Sequence, residues 1–273
     1  MAPGAAGVRH APGMTPSEAW AEALQAWAIP ASILAGAPED PWVHPPALFR
    51  SDPATDPFDT PSHRAARRAL GEGGTVLDVG VGGGRSSLPL APPATALTGV
   101  DEQEAMLEQF VDAARSRGIP ATAHRGRWPD VADEVPAADV VVCHHVVYNV
   151  APIVPFLEAL TAHARRLVVV ELPERHPTSW MNPLWERFWS LPRPTEPSAA
   201  LFVEVVRSLG WLPDVAWAER AARQAADPRS PEAVAFVRRR LCLPAGRDAE
   251  VADALAGLPA PAQRVATVAW RRR

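Results

Sequence analysis

The chain of 273 residues has no lysine, so all 27 of its basic side chains are arginine. It has only two cysteines and one tyrosine. It also has no apolar run of the roughly 18 residues that a membrane-spanning helix needs. Each scarcity excludes something. Cys143 and Cys242 cannot build a disulfide framework or a cysteine-based zinc site, and so few thiols fit a reducing cytoplasm, where the protein is expected. The opening MAPGAAGVRHAPGM lacks the charged start and apolar stretch of a secretory signal, and residues 1–14 read as a disordered leader. A net charge of -4 and a pI near 6.1 leave no basic excess beyond the terminal Arg271, Arg272 and Arg273, so neither nucleic acid nor a membrane is an expected partner. What is plentiful is apolar surface: a 47% hydrophobic composition supplies a full core for one α/β domain with additions.

From Thr15 the pattern becomes helical. Thr15 can cap, Pro16 suits the first helical position, Glu18 completes a capping box, and Trp20, Leu24 and Trp27 share one face. Prolines between 30 and 60 stand too close together for a long helix, yet Ile33, Leu34, Trp42, Leu48 and Phe49 are apolar. Residues 15–60 therefore read as a helical and irregular cap segment that packs on something. Thr60 and Pro61 open another helix, which Gly71 ends. Strand and helix patterns then alternate. TVLDVG at 75–80 precedes a glycine loop and a helix expected from about Arg85. ALTGVD at 96–101, a helix closed by Gly118, ATAHRG, ADVVVCHH, a helix over 152–166 and LVVVEL at 167–172 follow. Such alternation implies βαβ crossovers and a doubly wound parallel sheet. After Leu172 the rhythm breaks. Residues 173–197 carry Trp180, Trp185 and Trp189 among closely spaced prolines and read as an inserted lid, while DVAWAER and QRVATVAW are late strand candidates.

A strand ending in Gly80, Gly82 and Gly84 lets the following turn approach a ligand closely. Taken alone that spacing is weak, since an ordinary tight turn looks the same. Two acids strengthen it. Asp101 ends the second strand, where a carboxylate can accept from ribose hydroxyls. Asp78 lies inside the first strand, where a buried acid needs donors, and a ligand ammonium or bridging waters would supply them. Arg85 stands where the nicotinamide fingerprint asks for Gly or Ala, so dinucleotide binding fits worse.

VLDVGVGGG followed by LTGVDEQEAML resembles the class I S-adenosylmethionine-dependent methyltransferases, whose first motif reads acid-x-Gly-x-Gly-x-Gly. Asp78, Gly80, Gly82 and Gly84 match it position by position. The resemblance covers roughly residues 61–172, and the late strand pair is similar to the family's last two, antiparallel strands. It implies a mostly parallel, seven-stranded Rossmann-like methyltransferase domain over 61–273, with the N-terminal extension and the insert after the fifth strand as additions. S-adenosylmethionine is the implied cofactor and S-adenosylhomocysteine the product. The resemblance gives the amino-acid end to the loop through Asp78, Gly80, Val81, Gly82 and Gly84. The ribose falls to Asp101 with Glu102 beside it, and the adenine face to Met106. Where the family commonly has an acid after the third strand, this chain has Arg127. Trp128 can stack on the base there instead, with Asp130 or a backbone carbonyl taking the amino hydrogen. Cys143 reads as a packed thiol near the cofactor.

Methyl transfer from a sulfonium asks the protein for alignment, desolvation and a base wherever the nucleophile must lose a proton. The acceptor is expected over the ends of strands four and five, near His144, His145, Tyr148 and Asn149, with Glu171 opposite. Either histidine can serve as base, though a plainer reading holds one imidazole on backbone and leaves the other in solvent. Tyr148 can orient the acceptor or simply pack. His144 and His145 are adjacent and point to opposite sides of a continuing strand, and Asp139 lies at the wrong end of its strand for a magnesium site, so no metal is expected. Trp27, Trp42, Trp180 and Trp185 can line a pocket for a small aromatic or apolar acceptor, or can pack the appended segments. Monomer and homodimer both stay open. So do two rival functions: a cofactor-binding partner subunit or sensor without transfer activity, and an NAD-dependent oxidoreductase.

Overall fold

Runs of valine and leucine form the central strands of a sheet and are buried on both faces, as a parallel sheet requires. The computed structural model describes residues 13–42, 59–220, 230–259 and 263–272. Most of the expected leader, together with Leu48 and Phe49, lies outside those residues. Seven strands make one sheet: β1 (Gly74–Val79), β2 (Ala94–Asp101), β3 (Ala121–Arg125), β4 (Ala138–His144), β5 (Ala164–Pro173), β6 (Asp214–Arg220) and β7 (Gln263–Trp270). Their order is β3-β2-β1-β4-β5-β7-β6, parallel except where β7 runs antiparallel to both β5 and β6.

Helices cover both faces. On one side α1 (Pro16–Gln25), α5 (Ile153–His163) and α7 (Ala199–Ser208) pack on Leu77, Val79, Val141, Val168 and Val170. On the other, α3 (Pro61–Leu70) and α4 (Glu104–Ser116) pack on Val76, Val140, Val142 and Val169. Alternation along each strand therefore turns Asp78, His144 and Glu171 toward the α3 side, with His144 and Glu171 directly paired in register. The capping box at Thr15 forms as expected, and Thr60 caps α3 by accepting from the amide of His63.

Two expectations fail. No helix follows the glycine loop. Turns and a single 3-10 turn at Leu88–Leu90 take its place, because Pro89, Pro92 and Pro93 remove helix donors and Ser86 and Ser87 turn their hydroxyls inward. The helix expected to reach 166 stops at His163, and β5 starts early because Ala164 already pairs with Ala138.

A third hydrophobic cluster stands apart from the sheet. It joins Ile29, just ahead of α2 (Ala31–Ala35), with Met181, Leu184 and Trp185 from the insert, Val234 and Val237 of α8 (Pro231–Arg240), Leu241, and Val251 of α9 (Asp248–Ala256). The insert carries α6 (Asn182–Trp189), so it is one wall of a helical cap. Topology puts the cap over one edge of the sheet. Pro173 ends β5 opposite Val265 at the start of β7, and Arg220 ends β6 opposite Gln263. Those three connections and the start of α3 thus meet at the C-terminal edge of the parallel strands, where ligands bind in open α/β sheets. Arginines clasp the cap. Arg238 reaches Glu39 at 2.7 Å and Asp248 at 2.8 Å. Arg193 lies over the rings of Trp27 and Trp185 at 5.5 and 5.0 Å.

Candidate active site

The glycine loop begins where β1 ends. Gly80 has φ +74°, and a side chain there would put its Cβ 2.3 Å from Val146, so only glycine lets the segment after β4 come this close. Gly82, at φ +50°, faces open space instead, and this bare side is the place where a ligand can reach the backbone. Gly80 and Val81 donate their amides to the Val100 carbonyl, Gly84 to the Val81 carbonyl, and Gly82 to Asp101 Oδ2 at 2.9 Å. With those four amides used inside the protein and no helix behind them, the loop has little of the positive character that holds a phosphate.

Asp78 lies beneath it, fully buried. The hydroxyls of Ser86 and Ser87 both donate to its Oδ2 at 2.6 Å, and Oδ1 has no hydrogen-bond partner among the described residues. Burial pushes the carboxyl up to about 6, against the pull of the two hydroxyls. A buried, half-satisfied carboxylate of this kind fits an ammonium group. Asp101, partly exposed at the end of β2, accepts from Gly82 and from the Gln103 amide at 3.0 Å. Met106 is buried in the first turn of α4.

A second polar group lies two strands away. His145 has φ +62°, a strained value for a residue with a Cβ, and this turn ends β4. Its amide donates to the Glu171 carbonyl at 2.8 Å, and its Nε2 is 3.2 Å from Glu171 Oε1. The Ser62 hydroxyl donates to Glu171 Oε2 across a gap of 109 positions in sequence. Burial alone would raise the Glu171 carboxyl, but His144, His145 and Ser62 together outweigh it and hold it well below the usual carboxylate range. His63 sits on the same turn as Ser62, its ring 5.9 Å from that of His144, and burial lowers its basicity.

Several expected site residues are elsewhere. Tyr148 is a core residue: its hydroxyl donates to the Pro173 carbonyl at 2.8 Å, its ring stacks on Trp20 at 5.5 Å, and burial raises the phenol further from use as a base. Trp128 does not face the crevice. It is buried among Ala132, Val135 and Phe156, with its indole edge against His163 at 4.9 Å. Cys143 packs in that same core, where burial raises its thiol. Val81 buries its side chain in the core on the α3 side, so only its backbone belongs to the loop. Arg127 and Glu102 are exposed near each other, 3.8 Å apart. The tryptophans mostly pack. Trp185 is inside the cap, Trp180 lies against it, Trp27 stacks on His176 at 4.0 Å, and Trp42 is 52% exposed beneath Arg240. Asn149 is exposed on the 3-10 turn after β4. Ser62, His63, Ser86 and Ser87 were not anticipated. Only the serine pair left a trace in sequence, as the RSS that follows the glycines.

Residues 76–168 match the methyltransferase domain family. A ubiquinone biosynthesis O-methyltransferase of Paramagnetospirillum magneticum is 37% identical over 94 residues, which are 34% of this chain and 37% of that protein. The chain thus matches little more than a third of that relative's length. Among solved structures, YcgJ of Bacillus subtilis superposes with a TM-score of 0.52 at 14% identity, over 78% of this chain and 98% of its own. A magnesium protoporphyrin IX methyltransferase of Synechocystis with bound SAH gives 0.51 at 15%, over 78% and 81%. At these identities the likeness is one of fold. No helix among the described residues is long and apolar enough to cross a membrane.

Proposed function

We propose that this chain, which has the class I S-adenosylmethionine-dependent methyltransferase fold and a methyltransferase domain at residues 76–168, moves a methyl group from S-adenosylmethionine to an oxygen or nitrogen of a small acceptor. The observation that carries this reading is the buried Asp78 carboxylate, one oxygen without a partner among the described residues, under a loop whose bare glycine side is open. Those features suit the ammonium end of an amino-acid cofactor. They suit a dinucleotide less, because the loop amides that would grip a pyrophosphate are already committed. Asp101 would hold the ribose and Met106 would back the adenine.

S-adenosylmethionine, when bound, supplies an electrophilic methyl on a sulfonium sulfur. The chain's own residues supply alignment and a proton sink. His145, one-third exposed at the end of β4, takes the proton that the acceptor loses. Glu171 orients the imidazole and stabilises its charged form, having itself been kept ionised by the groups around it. The cap over this edge keeps water from the reacting atoms and gives a small acceptor apolar walls.

Calorimetry with S-adenosylmethionine, S-adenosylhomocysteine and NADH tests the cofactor assignment. Binding of the first two and not the third is expected, and the reverse would restore the oxidoreductase. Incubation with methyl-labelled cofactor and host extract tests turnover. Tight binding without any labelled product would make the protein a sensor or partner subunit.

A further inference from the structure

We propose that Ser62 is a positioning residue for the methyl transfer assigned above, holding one oxygen of Glu171 so that the other is presented to His145. The inference rests on that assignment for its function and on hydrogen-bond direction for its content.

An ionised carboxylate can only accept, so Ser62 must donate to Glu171 Oε2. Its one proton is then committed. The contact of 2.6 Å between Thr60 Oγ1 and Ser62 Oγ must therefore run from Thr60 to Ser62. Thr60 in turn has no proton left, and it accepts from His63 Nδ1 at 2.9 Å. A chain of donors thus reaches the site from the start of α3: His63 donates to Thr60, Thr60 to Ser62 and Ser62 to Glu171, whose other oxygen meets the ring of His145. Every member but Thr60 and His145 is buried to better than nine-tenths. Serine in the first turn of α3 costs little in helix stability, but a hydroxyl placed on a buried carboxylate is stronger than one in water. The charged and titratable groups facing the pair are His144 from β4, and His63 with Arg67 beyond it from α3.

The test is a double-substitution cycle read on the imidazole of His145 by NMR across pH, which needs no turnover. Ser62→Ala is near-isosteric and keeps the Thr60 cap. It is expected to lower the His145 titration midpoint by about half a pH unit, because the released carboxylate rotates away from the ring. In a Glu171→Gln background the same substitution should change nothing, since its only route to His145 is gone. Ser62→Thr, which restores the hydroxyl, should restore the midpoint. Equal shifts in both backgrounds, or no shift in either, overturn the proposal. Calorimetry with S-adenosylmethionine on the same variants is expected to match the parent protein. Failure of the parent itself to bind would sink the methyltransferase reading, while the coupling between Ser62 and His145 measured by the cycle would still stand or fall on its own.

Discussion

Asp78 and Glu171 are buried carboxylates on the same face of one sheet, two strands apart, and their surroundings push them in opposite directions. Asp78 has two hydroxyls on one oxygen and, among the described residues, nothing on the other, so burial wins and its affinity for protons rises. Glu171 has a serine on one oxygen and a histidine on the other, and it stays ionised. A third acid shows what a purely structural arrangement looks like. Asp139, at the opposite edge, accepts from the Thr75 amide at 2.8 Å, lies 3.1 Å from Arg166, and is lowered first by that backbone bond. Asp139 is partnered by the backbone and a surface arginine and holds the fold, Glu171 is partnered by groups that face the acceptor end, and the incomplete set at Asp78 leaves room for a ligand.

That contrast can be broken at either end. The largest effect should come at the Glu171 end: His145→Gln is expected to slow transfer by roughly 10²–10⁴-fold, measured with labelled cofactor, while calorimetric affinity for the cofactor stays within about twofold. Next, Asp78→Asn should weaken cofactor binding by about 10–100-fold, the value of a charge-assisted hydrogen bond at a buried site. The same substitution should leave the melting temperature of the ligand-free protein unchanged or higher at neutral pH, because it removes an uncompensated burial of charge. A loss of both stability and binding would class Asp78 with Asp139.

The pH dependence sharpens the comparison further. Because the folded-state value for Asp78, about 6, lies above its ordinary value, the folded protein holds that proton more tightly than the unfolded chain. Its penalty on stability is therefore present above about pH 6 and fades as pH falls toward 4, whereas affinity for a cationic cofactor runs the other way and drops below about pH 6. Calorimetry and melting curves at pH 5 and pH 7.5 would show the two trends crossing. The smallest change is expected from Tyr148→Phe. It should cost about 1 kcal/mol of stability through the lost bond to Pro173 and leave the transfer rate alone.

The cofactor end of the site could be read from the linear chain because its parts are neighbours: Asp78, the glycines and the two serines fall within ten positions, and Asp101 ends the next strand. The acceptor end could not. Ser62 and Glu171 are 109 positions apart, and nothing local distinguishes Ser62 from any serine in a first helical turn. Trp128 and Tyr148 were ambiguous for the same reason. An aromatic ring beside a motif reads alike whether it lines a crevice or fills a core, and only the packing of α1 and α5 against them decides it.

Sequence by itself determined the alternation of strand and helix, the bare turn after β1 and the acid beneath it, since periodicity and glycine spacing are local properties of the chain. Tertiary structure alone decided that the insert, the N-terminal segment and α8–α9 form one cap, that the loop's amides face inward, and that Ser62 meets Glu171. Each of these depends on which side chains a folded sheet brings to a shared edge, and hydrogen bonds and burial are settled there by proximity in space.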